Sequence, residues 1–72
     1  MGDMITYRIH QTIAELSQYG DWKKILTLTA WGQGVPKLDL RTWKEEGGKL
    51  SPGRGLTLSV EEALVLREAL EL

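Results

Sequence analysis

Apolar and polar side chains alternate along most of the first 58 residues and then give way to helical spacing. In residues 6–17 (TYRIHQTIAELS), Tyr7, Ile9 and Ile13 share one parity, and Arg8, His10 and Thr12 the other, which reads as a strand. Ile13, Ala14, Glu15 and Leu16 are also acceptable helix formers, so a helix over residues 12–19 competes. We read a strand that bends or bulges near Ala14. Gln18 to Asp21 contains Gly20 and reads as a turn. Residues 22–31 (WKKILTLTAW) are rich in β-branched and aromatic types, as a strand requires. Trp22, Leu26, Leu28 and Ala30 have one parity; Lys23, Ile25, Thr27, Thr29 and Trp31 have the other. Gly32-Gln33-Gly34 makes a short turn, and Pro36 stands where a strand can begin. Residues 37–43 (KLDLRTW) set Leu38, Leu40 and Thr42 against Lys37, Asp39, Arg41 and Trp43, completing a hairpin. Residues 44–55 (KEEGGKLSPGRG) hold four of the eight glycines and read as a loop, and Leu56-Thr57-Leu58 as a short fourth strand.

Ser59-Val60-Glu61-Glu62 then forms a capping box, in which the Ser59 hydroxyl accepts from the Glu62 amide and the Glu62 carboxylate accepts from the Ser59 amide. The helix that follows reads to the end of the chain. It carries two apolar stripes: Val60, Ala63, Leu64 and Leu70 to face a sheet, and Val65, Ala69 and Leu72 on an adjoining face. A helix lying on one sheet needs a single stripe. The second predicts helix-to-helix packing in a homodimer. The order β-β-β-β-α makes one α+β domain over residues 1–72.

Size supports the dimer. A chain of 72 residues buries a modest core, and such chains usually need disulfides, a metal or a partner subunit. There is no cysteine and one histidine, so a disulfide, thiolate or His-rich metal site is excluded, and no cofactor is expected. No apolar run approaches the roughly 20 residues of a membrane span. Met1-Gly2-Asp3-Met4 does not open a secretory signal, which favours the cytoplasm.

The net charge of −1 hides a segregation. Residues 21–55 carry seven basic against four acidic residues, whereas residues 56–72 carry Arg67 against four glutamates. A molecule divided this way can offer a basic face to phosphate. Catalytic constellations are poor: Glu45 and Glu46 sit in a glycine-rich stretch, and neither Gly32-x-Gly34 nor Gly53-x-Gly55 has the context of a phosphate-binding loop, so no enzyme is expected.

The aromatic residues say more. The chain has three tryptophans, two tyrosines and no phenylalanine. Trp31 and Trp43 fall on the lysine- and arginine-bearing parity of their strands, opposite the leucines expected to pack the helix. Exposed indoles beside cations suit unpaired bases: each stacked base contributes roughly 1–3 kcal/mol, and the cations neutralise phosphates. A duplex hides its base faces, so single-stranded DNA is the expected partner, and single-stranded RNA offers the same chemistry. On this reading Trp31 and Trp43 are stacking platforms, Lys23, Lys37, Arg41 and Arg54 phosphate clamps, and Lys24, Lys44 and Lys49 flanking charge. Asp39 on the same face would pair with a neighbouring cation and orient it, and Trp22 would pack at an edge or in the core. The rival expectation is a protein-interaction module using the same tryptophan-rich face.

The run Pro36-Lys37-Leu38-Asp39-Leu40-Arg41-Thr42-Trp43, with Lys49-Leu50-Ser51-Pro52-Gly53-Arg54-Gly55-Leu56-Thr57-Leu58-Ser59, resembles the transcriptional coactivator positive-cofactor-four family, in its short bacterial YdbC-like branch. The resemblance extends back to Trp22-Lys23-Lys24 and Trp31 and covers residues 6–72. It implies a curved four-stranded antiparallel sheet followed by one helix, dimerised through the helices, with single-stranded DNA on the sheet and little sequence preference. By position, the resemblance places Trp31 at an aromatic ending the second strand, Arg41 at the family's arginine, Trp43 at the tryptophan after the third strand, and Arg54 at the basic residue of the Pro-Gly-Arg segment. Gly32-Gln33-Gly34 replaces a more basic turn, which implies weaker binding. The long serine-rich and basic leading region of eukaryotic members is missing, so their coactivator regulation does not carry over.

Overall fold

The computed structural model describes residues 6–71. Four strands and one helix follow in chain order: β1 (Tyr7–Tyr19), β2 (Trp22–Trp31), β3 (Lys37–Glu46), β4 (Lys49–Leu58) and α1 (Val60–Ala69). All neighbouring strands pair antiparallel, in the order β1-β2-β3-β4. The expected α+β architecture stands, and the span of β2 matches the sequence reading. No helix among the described residues is long and apolar enough to cross a membrane.

Residues 44–55 are not a loop. β3 runs on to Glu46, Gly47-Gly48 turns the chain in two residues, and β4 begins at Lys49. Both glycines have positive φ (59° and 79°), as a tight hairpin whose turn matches the strand twist demands. The other two glycines of this stretch serve close packing. A Cβ on Gly55 would fall 1.8 Å from the Arg41 Cβ, and one on Gly53 would fall 2.5 Å from the Trp22 ring. Glycine density here marks two strands in intimate contact.

The sheet is strongly coiled. The β1–β2 ladder shifts register after Ile9, Thr12 and Glu15, and the second shift lies where the sequence placed a bend near Ala14. A further shift separates Arg41 from Trp43 in the β3–β4 ladder. Bulges of this kind bend a strand and raise its twist. The consequence is measurable. Trp43 lies opposite Lys23, and Trp31 stands eight residues farther along β2, about 26 Å in an extended strand. Yet the two indoles stack at 6.0 Å with 11° between their planes. The Tyr7 hydroxyl, on the β1 edge, donates to the Leu50 carbonyl on the opposite edge strand.

Coiling makes the inner face the core. Ile25, Thr27, Thr29, Asp39 and Trp43 are buried there, and Thr27 and Thr29 share a hydrogen bond of 2.6 Å between hydroxyls. The leucine-rich face is the outer one: Leu26, Leu28, Leu38, Leu40 and Leu58 are only half-buried, and Leu56 is exposed. α1 has its capping box as expected, with Glu62 N–H donating to Ser59 Oγ at 3.0 Å and Ser59 N–H donating to Glu62 Oε1 at 2.8 Å. It ends at Ala69 with Leu70 as its C-cap, and it does not lie down on the sheet. Val60 and Leu70, read as sheet-facing, are 73% and 69% exposed, and Leu64 is exposed too. Only Ala63 of that stripe is partly covered. Val65 and Ala69 of the second stripe are exposed, and Leu72 lies outside the described residues.

Candidate nucleic-acid interface

Register puts Tyr7, Trp31, Arg41, Asp39 and Trp43 on the inner face. The Tyr7 ring lies 5.7 Å from Trp31 and 5.4 Å from Trp43, tilted to both. Offset and tilted contacts are the arrangement that the ring quadrupole favours. Trp43 is 0% exposed, so no base can stack on it, and the expectation of a platform there is corrected. The cause is the coil of the sheet, which brings Tyr7 and Trp31 over it. Its indole N–H finds no acceptor among the described residues.

Trp31 remains half-exposed. Its indole N–H donates to Asp39 Oδ2 at 3.2 Å, and the Arg41 guanidinium carbon sits 4.6 Å from its ring centroid. A cation over an indole is attracted by the ring's electron-rich face. Arg41 is itself held: Nε donates to Asp39 Oδ1 at 2.6 Å, Nη2 to Asp39 Oδ2 at 2.8 Å, and Nη1 to the Gly53 carbonyl at 3.1 Å. Asp39 thus orients both Trp31 and Arg41, as its place among cations suggested. The Arg41 charge is neutralised at close range by Asp39. An open groove of about 320 Å³ runs alongside, lined by Trp31, Gly34, Val35, Lys37, Arg41 and Thr57.

The remaining cations divide. Lys23 bonds Glu45 at 3.0 Å and approaches Glu15 at 3.9 Å, tying β1, β2 and β3 together on the inner face. The Glu45 hydrogen bond, then the Glu45 and Glu15 charges, raise the Lys23 ammonium above its ordinary pKa. Lys44 pairs with Glu46 at 3.3 Å. Among the described residues, Lys24, Lys37, Lys49 and Arg54 make no such pair. Of these, Lys37 lines the Trp31 groove, Lys24 and Arg54 line a different groove on the outer face, and Lys49 begins β4 at the far turn. The nine basic and aromatic residues expected to form one surface therefore lie on two faces. Sequence reasoning missed Tyr7. Its parity with Ile9 placed it on a strand face, but its contacts with Trp43 and Leu50 depend on the coil.

An aromatic, cation-bearing inner face on a four-stranded antiparallel sheet, followed by one helix, fits one class, a nucleic-acid-binding, transcription-coactivator-like domain, and a family match assigns the chain to it. The sequence model of the family described as Transcriptional Coactivator p15 (PC4) matches residues 20–69, and the chain belongs to that family. No curated protein matches the chain.

Proposed function

We propose that the chain binds single-stranded DNA, with little sequence preference, as a homodimer of the short bacterial type. The observation that carries this reading is the Trp31–Arg41 pair, an indole and a guanidinium 4.6 Å apart, opening on a groove with Lys37 at its side. A base entering the groove meets the half-exposed indole with the guanidinium seated on it, and Lys37, which has no carboxylate partner among the described residues, supplies charge for the adjoining phosphate. Asp39 holds the pair in place before the strand arrives, so little ordering entropy is lost on binding. Single-stranded RNA would meet the same surfaces and competes as a ligand.

The dimer is supported by what α1 leaves open. Val65, Leu66 and Ala69 line an apolar hollow on a helix whose Val60 and Leu64 are exposed as well. A second copy offers the same stripe by twofold symmetry, which makes such a contact self-complementary. Sedimentation should show a species near twice 8.1 kDa, and a monomer at micromolar concentration overturns the dimer.

The binding test is intrinsic fluorescence during titration with an oligo-dT strand. Saturable quenching at low salt that weakens linearly in log salt is expected. Trp31→Ala should cost about 1–3 kcal/mol of binding with the fold retained. Unchanged affinity in that variant, or quenching indifferent to salt, overturns the reading.

A further inference from the structure

The outer face at the β1–β2 turn carries a second aromatic and basic cluster, on the side of the sheet away from Trp31. Tyr19 and Trp22 stand opposite each other across a two-residue turn and are 88% and 42% exposed. Lys24 follows on the same face, directly opposite Thr42 of β3. The Thr42 hydroxyl donates to the Arg54 carbonyl at 3.4 Å. Lys24, Leu40, Arg41, Thr42, Arg54 and Gly55 line an open groove of about 340 Å³.

Trp22 is held in place. A Cβ on Gly53 would fall 2.5 Å from Trp22 Cζ3 and 2.6 Å from Thr42 Oγ1, so the ring lies against the β4 backbone, beside Thr42. Glycine at 53 is what lets it approach. The neighbouring Lys44 is occupied by Glu46 at 3.3 Å, but Lys24 and Arg54 have no carboxylate partner among the described residues.

Two exposed aromatic planes beside two unneutralised cations answer one chemistry: bases with free faces, joined by phosphates. We propose that this outer cluster is a second binding site for single-stranded nucleic acid, with Trp22 and Tyr19 stacking bases and Lys24 and Arg54 contacting phosphates. The inner groove and this site open on different faces of the sheet, and Arg41 lines both. Charge selects the occupant. An apolar protein partner would leave Lys24 and Arg54 desolvated without a counter-charge, whereas a polyanion supplies one.

The three indole N–H groups give separate signals in a proton–nitrogen correlation spectrum, and oligo-dT titration reads each one. The Trp22 signal should move saturably, and less at high salt. Lys24→Glu, at an exposed position, should raise the oligonucleotide concentration needed for half that shift on the order of tenfold. The Trp31 response should weaken less than the Trp22 response. A static Trp22 signal while Trp31 moves overturns this inference and leaves the inner groove standing. A Trp22 response with Trp31 static supports this site and overturns the inner one. If neither moves, both fail. A Lys24→Glu variant whose Trp22 signal titrates like the parent's also overturns the proposal.

Discussion

Asp39→Asn is the substitution that tests the organisation of the inner face most directly. The carboxylate is fully buried and accepts three hydrogen bonds, two from Arg41 at 2.6 and 2.8 Å and one from Trp31 at 3.2 Å. Asparagine keeps one accepting oxygen and turns an amide N–H toward a donor. It also removes the charge that balances Arg41, whose side chain is only 15% exposed. Breaking a buried ion pair by removing one partner costs about 3–5 kcal/mol. Arg41 keeps its bond to the Gly53 carbonyl and some contact with water, so the low end applies, about 3 kcal/mol. A domain of this size has a total stability on the order of 4–11 kcal/mol, so the loss is a large share of it. The midpoint of thermal unfolding should fall by about 12–24 °C. Urea and thermal unfolding, followed by tryptophan fluorescence and circular dichroism at one fixed protein concentration, measure it. The concentration must be held because subunit association shifts apparent stability. A loss below about 1 kcal/mol would refute the view that Asp39 organises this face. A cycle with Arg41→Met then apportions the coupling between the two side chains.

Trp43→Ala should act on folding and not on strand binding alone, costing about 3–5 kcal/mol in urea unfolding through the cavity it leaves. Trp43→Phe should lose less, because it also removes a buried N–H that has no acceptor among the described residues. Gly55→Ala forces a methyl group into the Arg41 Cβ and should destabilise by at least about 1–3 kcal/mol; a neutral result would mean that β4 lies farther from β3. Lys23 has its pKa raised by Glu45 and Glu15, so the stabilisation from its protonated form is complete below the unfolded value of 10.5 and fades as pH rises through the higher folded one. Urea midpoints on either side of that value should fall more steeply in the parent protein than in Lys23→Met.

Features legible in the amino-acid order alone are local. Alternation over residues 22–31 defines β2, and the order of four strands and a helix follows from parity and turns. Ser59 and Glu62 begin α1 because both partners of a capping box lie within one turn of chain. The bend near Ala14 was legible for a similar reason, since weak strand formers interrupt an alternating run there. Parity also grouped Trp31, Asp39, Arg41 and Trp43 on one face, because side chains alternate across a strand with a period of two residues.

Parity cannot say which face is inside, and that the tertiary structure decided. Bulges in two ladders coil the sheet until Trp31 meets Trp43, and the same coil that buries Trp43 leaves the leucines half-open outside. The glycines of residues 44–55 misled for a related reason. Only Gly47 and Gly48 make a turn, while Gly53 and Gly55 answer to Trp22 and Arg41, which are distant in the chain. Neutralisation of Lys23, Lys44 and Arg41 likewise depends on which carboxylates the fold brings within reach. Composition counts charges, but distances fixed by the fold decide which of them remain free for a phosphate.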